Sequence, residues 1–344
     1  MDDSTATGET TTPQTAVAAG EGYTSVTAGS GTASDPGPPS GVAGGGGLRP
    51  TVPSQAAAER VASSGVDAAG TPPELRRALE RITAPERVLT RPAELVMFAS
   101  DASVYRMLPK AVVLADGVDE VRGLMAHARR SGVPMTFRAA GTSLSGQAQS
   151  DGVLVEVARY WRGVAVEDEG RRVRVLPGTI AGRVNLALAK HGRKLGPDPA
   201  SISACTMGGV IANNSSGMCC GTEQNTYNTL RSLTFVLPSG TVVDTAAPGA
   251  AEALERAEPD LVAGLRELRA AVHADAELLE RIGRKYSRKN TTGYSLNAFV
   301  DFEEPLDVLT HLLVGSEGTL AFVAEAVLDT VPVLPYKTTG LLVF

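Results

Sequence analysis

The chain has 344 residues, 43% of them hydrophobic, with a net charge of −6 and three cysteines, a size and apolar content that allow a sizeable core. Residues 1–72 hold seven acids (Asp2, Asp3, Glu9, Glu21, Asp35, Glu59, Asp67) against two bases (Arg49, Arg60), so −5 of the charge lies there and residues 73–344 carry about −1. A near-neutral body has no field with which to hold nucleic acid or an anionic membrane, and both are set aside as default partners.

Residues 1–72 are dominated by Gly, Ser, Thr, Pro and Ala, with GVAGGGGLRP at 41–50, and read as a disordered tail. No basic stretch followed by an apolar one opens the chain, and no apolar run reaches membrane-spanning length. The expected location is the cytoplasm, with peripheral attachment to the inner face of a membrane as the alternative. Cys205, Cys219 and Cys220 form no C-x-x-C, so no metal site is expected and the thiols read as small buried residues.

A helical lead-in covers 73–107, beginning with ELRRALERI. AVVLA at 111–115 reads as a short buried strand. It is followed by a helix whose Val121, Leu124, Met125 and Ala128 form one stripe ending near Gly132. PMTF at 134–137 is the next strand, and this order predicts a parallel pair with its connecting helix on one face. Short strands follow at 152–157, 163–168 and 171–178, the last two as a hairpin about Glu169 and Gly170. Thr179 is the expected N-cap of a helix that stops at Gly192. Residues 230–246 read as two strands around a Pro-Ser-Gly turn, 250–286 as helical, and 311–334 as apolar stretches around a Gly-rich turn. The closing TTGLLVF reads as a strand stopped at the last residue, as in a truncated chain.

Three segments carry the chemistry. FRAAGTSLSGQAQSDG (137–152) leaves a strand as a loop in which Gly141 and Gly146 let the main chain come close to a ligand. Thr142, Ser143 and Ser145 add hydroxyls, and successive N–H groups can form an anion nest suited to a diphosphate; a plain turn between strands also fits the segment. PDPASISACTMGGVIANNSSGMCCG (197–221) is too rich in Pro, Gly, Asn and Ser for a core helix, yet its Val210, Ile211 and Ala212 suggest burial. Polar side chains there need partners, which a capped surface loop or a polar ligand would provide. VGSEGTLAFV (314–323) places Gly315 and Gly318 around Ser316 and Glu317 ahead of a strand.

Together, in this order and spacing, the three segments resemble the PCMH-type FAD-binding domain of the vanillyl-alcohol oxidase superfamily, and most of all its D-lactate dehydrogenase and glycolate oxidase branch. The resemblance spans roughly residues 90–344. It implies an α+β fold of two subdomains with FAD extended between them, truncated before a cap domain. No G-x-G-x-x-G follows a strand, in keeping with a non-Rossmann cofactor site. The implied layout is the tail (1–72), the lead-in (73–107), the FAD-binding domain (108–249 and 311–334) interrupted by a helical insertion and loop (250–310), and the start of the cap (335–344).

The resemblance also implies site residues. Arg138, Ala139, Ala140, Gly141, Thr142, Ser143, Leu144 and Ser145, with Gln147, would wrap the FAD diphosphate. Pro197, Asp198 and Ser203 would pass near the flavin and its ribityl chain. Thr206, Gly208 and Gly209 would make a second backbone approach, continued by Asn213, Ser216 and Gly217. Glu317, Gly318, Thr319, Leu320 and Val323 would lie beneath the adenosine half. None of the four histidines (127, 191, 273, 311) falls in the first loop, so FAD is expected to be non-covalent. KNTTGYSLNAF (289–299) also fits the branch, with Asn290 and Tyr294 either facing the flavin or simply packing against the domain.

What the branch implies is oxidation of a small D-2-hydroxy acid of the D-lactate or glycolate type to the 2-oxo acid, with hydride passing to flavin N5. The electron acceptor would be a quinone, an electron carrier or an iron–sulfur module, the last only if one follows residue 344. No catalytic base is named, since the cap would carry it. The alternatives are a sugar or lactone oxidase, an ether-lipid synthase or a cell-wall precursor reductase of the same superfamily, or a non-catalytic FAD-binding module.

Overall fold

A computed structural model describes residues 70–336, 338 and 340. The tail expected over 1–72 therefore lies outside the described residues except for its last three, and so does the closing strand apart from Thr338 and Gly340.

The first of two sheets has the order β1-β2-β4-β3, built from Val88–Leu89, Ala111–Leu114, Val153–Glu156 and Met135–Arg138 respectively. β2 and β3 both run parallel to β4, with Ala111 and Met135 each opposite Val153, and β1 closes one edge antiparallel. β2 and β3 are parallel as expected, but β4 lies between them. Every residue of β4, Glu156 included, is buried whereas β3 is only half-buried, as suits a strand covered on both faces between its partners.

Helix α3 (Val118–Ser131; α1 is Pro73–Leu79 and α2 is Pro92–Met97) connects β2 to β3 and buries Val121, Leu124 and Met125. It ends where Gly132 adopts a left-handed φ of 70°.

The second sheet is antiparallel, in the order β5-β6-β10-β8-β9 (Val164–Glu167, Arg172–Val175, Phe322–Pro332, Leu230–Val236, Val242–Asp244), with β7 (Arg193–Leu195) also on β10. The expected hairpin turns through Asp168, Glu169 and Gly170, all at positive φ. Helices α4 (Ala181–Ala189), α5 (Met207–Ala212) and α6 (Thr226–Thr229) precede β8. Residues 250–286 form three helices, α7 (Ala250–Ala257), α8 (Pro259–Ala274) and α9 (Ala276–Tyr286); α10 (Ala298–Asp301) and α11 (Pro305–Leu313) follow.

One reading is corrected. Thr179 does not cap α4: its hydroxyl donates to Gly163 O and accepts from Gly163 N, which ties the chain to the loop before β5, and the N-cap is Ile180. The HLL run at 311–313, read from sequence only as an apolar stretch, ends α11, which is buried on nearly every side.

β10 joins the two cores. Phe322 at its start lies 4.5 Å from Phe137 of β3 and 5.1 Å from Trp161, ring to ring, so the first sheet packs against the end of the second where both meet the cavity described next.

Candidate functional site: a cavity between the two sheets

A cavity of about 400 Å³ opens where the loop after β3, the segment around α5 and the turn before β10 converge. Its volume falls in the range of small-molecule sites.

The loop after β3 supplies main-chain donors. The N–H groups of Gly141, Thr142, Ser143 and Leu144 donate to no protein acceptor among the described residues. Gly141 holds φ = 69° and Gly146 φ = 83°, values that turn the chain so tightly that successive amides stay unpaired. The loop is braced from behind. Arg138 donates to Phe98 O (3.3 Å) and Ala148 O (3.4 Å), with its guanidinium over the Phe98 ring. Gln149 Nε2 reaches Asp101 Oδ1 (2.7 Å), Ser103 Oγ (3.1 Å) and Tyr105 O (2.9 Å). Ala102 N donates to Gly141 O at 3.0 Å, and Ser143 Oγ bonds Gln147 Oε1 within the loop. Burial lowers the Arg138 pKa, against the pull of Asp101 and Glu156.

The second wall is α5 with its flanks. Gly208 has a packing reason for lacking a side chain, since a Cβ would stand 2.8 Å from Pro177 Cβ; at Gly209 one would meet only Ala139, at 3.7 Å. Two hydroxyls here are orphaned: Thr206 Oγ1, on a residue only 2% exposed, and Ser216 Oγ are buried without a hydrogen-bond partner. Both residues line the cavity. A buried hydroxyl without a partner costs about 1–3 kcal/mol, and a polar ligand would relieve it. Gly217 lies so close to Asp198 that any side chain would collide with the Asp198 carbonyl, while Asp198 Oδ2 accepts from Cys219 N (3.3 Å) and Oδ1 is left unpaired.

The third wall is the turn before β10. Glu317 sits at φ = 54°, its N–H donates to Ala212 O (2.8 Å), and its Oε1 accepts from Asn213 Nδ2 (2.6 Å). Burial pushes the Glu317 carboxyl above its ordinary pKa, only partly offset by the Asn213 and Gln147 hydrogen bonds.

Of the residues singled out from sequence, the cavity wall brings together Ala139 through Ser145, Gln147, Thr206, Gly208, Gly209, Asn213, Ser216, Glu317, Gly318 and Val323. Arg138, Pro197, Asp198, Ser203, Gly217, Thr319 and Leu320 are not on it. Arg138 and Asp198 stand behind it, and the Thr319 hydroxyl bonds Ser316 O (2.6 Å) and Tyr294 OH (2.8 Å). Asn290 turns its amide to Thr292 O, so neither Asn290 nor Tyr294 lines the cavity.

The wall also includes Phe137, Phe322, Ser201, Cys205, Lys289 and Thr291, which sequence reading passed over. Lys289 lies in a stretch already noticed for Asn290 and Tyr294; its charge was the available signal. None of the four histidines is on the wall, and no cluster of three potential metal ligands occurs among the described residues. No helix among the described residues is long and apolar enough to cross a membrane.

Residues 109–246 match the family model described as FAD binding domain. The chain is 34% identical to D-2-hydroxyglutarate dehydrogenase of Pseudomonas putida over 71% of its own length and 25% of that protein. It is 37% identical to glycolate oxidase subunit GlcD of Escherichia coli over 39% of this chain and 27% of that subunit. It thus spans about a quarter of the length of these curated relatives. Among solved structures, alkyldihydroxyacetonephosphate synthase superposes with a TM-score of 0.52 at 18% identity, covering 77% of this chain and 42% of that one, a likeness of fold. The free amides and orphaned hydroxyls suit an anionic, polar cofactor, and the residues that match the FAD binding domain model supply two of the three walls.

Proposed function

We propose that this chain is the FAD-binding portion of an oxidoreductase that converts a D-2-hydroxy acid of the 2-hydroxyglutarate, lactate or glycolate type to the 2-oxo acid. The observation that carries the reading is the convergence on one cavity of the unpaired 141–144 amides and the orphaned Thr206 and Ser216 hydroxyls, within a matched FAD-binding domain. The names of the relatives at 34% and 37% identity support the substrate class.

Bound FAD would supply the redox chemistry, accepting hydride from the substrate carbon at N5. The chain's own part is binding and orientation. The 141–144 amides would hold the diphosphate without bringing a charge of their own, and Thr206 and Ser216 would each gain the partner they lack. Phe137 and Phe322, packed ring to ring, would keep water from that end of the cavity. With no histidine on the wall, the FAD would be held non-covalently. In this reading residues 108–249 and 311–334 form the cofactor domain, and 250–310 an insertion that contributes Lys289 and Thr291 to it.

The test is dye-coupled oxidation of D-lactate, glycolate and D-2-hydroxyglutarate by the FAD-loaded full-length protein. Turnover of at least one is expected. Bound FAD with no turnover of any would leave a cofactor-binding module and refute the assignment.

A further inference from the structure

The cavity wall carries one cation, Lys289, and one carboxyl, Glu317; its remaining residues are neutral, including Cys205, whose thiol pKa burial pushes up. Lys289 Nζ donates to two main-chain carbonyls, Gly217 O at 2.9 Å and Ser216 O at 3.2 Å, and has no carboxylate partner among the described residues. The nearest charged neighbour in sequence with a partner is Arg284, which pairs with Glu280 on its own helix. The ammonium is therefore anchored at the exposed edge of the cavity with no carboxylate beside it among the described residues. Ser216, whose carbonyl helps to anchor it, also presents the orphaned hydroxyl.

An ammonium and an unpaired hydroxyl meeting at one residue make a two-donor site for an anionic oxygen. The alternative, a lysine that serves only to tie its loop to the 213–217 segment, would use its hydrogen bonds and not its charge. Nor does Glu317 compensate the charge: it forms no salt bridge with Lys289 among the described residues, and its Oε1 accepts from Asn213.

Resting on the FAD reading above, we propose that Lys289 is the residue that neutralises an anionic oxygen of the bound ligand, with Ser216 Oγ as the second donor. Two sources share that chemistry: the diphosphate of the cofactor and the carboxylate of the acid substrate. Each predicts a different response.

The test compares wild type, Lys289→Gln and Lys289→Arg in the full-length protein, with thermal midpoints as the folding control. Gln keeps a hydrogen-bond donor and loses the charge; Arg keeps the charge. FAD affinity of the apoprotein is titrated by flavin fluorescence at low and high salt, and oxalate binding to the FAD-loaded protein by perturbation of flavin absorbance.

If the diphosphate is the partner, Gln weakens FAD binding about 10-fold and flattens its salt dependence, while Arg stays within about 3-fold of wild type. If the carboxylate is the partner, FAD affinity is unchanged and Gln weakens oxalate binding about 10-fold. Equal losses in Gln and Arg would mean a structural tether, and no loss of either ligand in Gln would mean no role; both overturn the proposal. A wild-type protein that binds no FAD would instead fail the cofactor reading on which it rests.

Discussion

Asn213 donates to Glu317 across 2.6 Å, joining the end of α5 to the turn before β10 over a separation of 104 residues. The pair closes one side of the cavity and holds a carboxyl whose pKa burial has raised. For a carboxyl so raised, the folded state binds a proton more readily than the unfolded one. Stability from this group is greatest below its ordinary pKa of 4.5 and declines as pH rises toward the folded value, staying low above it. Glu317→Gln keeps the acceptor for Asn213 and removes the charge. It is expected to abolish that decline and to raise the thermal midpoint at pH 7, with little effect near pH 4. Melting curves of both proteins from pH 4 to 8 check the sign.

Gly141 tests the anion loop. Its φ of 69° and the placement of a Cβ within 2.6 Å of Arg138 Nη2 leave no room for a side chain. Gly141→Val is expected to weaken FAD binding at least ~10-fold while leaving the far-ultraviolet circular dichroism unchanged. Retention of FAD at wild-type affinity would mean that the diphosphate is held elsewhere.

Gln149 tests the brace. Its amide nitrogen serves three acceptors on residues 101–105, and it is 5% exposed. Gln149→Leu removes that donor from all three acceptors and leaves Asp101 Oδ1 with Ser103 N alone, an expected loss of about 1–3 kcal/mol. Hydrogen exchange should speed up in residues 98–107 and in the loop after β3, with the second sheet unaffected.

Phe235 tests the core of the second sheet. It lies in the middle of the sheet, fully buried against the helices. Phe235→Ala is expected to cost about 3–5 kcal/mol, read as a lower denaturant midpoint at unchanged slope.

Much of this architecture is local and was legible from the sequence. Gly132 ends α3 as its spacing implied, and residues 139–145 and Gln147, in a Gly and Ser run that a plain turn would also have fitted, line the cavity. What was not legible depends on contacts between distant residues. β4 separates β2 from β3, an order that local pattern does not rank, since β2 and β4 are both buried along their whole length. Thr179 gives its hydroxyl to Gly163 and not to a helix end, a choice made by tertiary packing. Lys289 reaches the cavity from 73 residues beyond Ser216, and Phe322 meets Phe137 across 185 positions, so neither residue announces its place locally.

The most direct measurement of the central claim is a titration of the purified, flavin-stripped protein with FAD, followed by fluorescence or calorimetry. One FAD per chain is expected, released intact on denaturation as a non-covalent cofactor is. Absence of saturable FAD binding by a protein that is folded by circular dichroism would contradict the account.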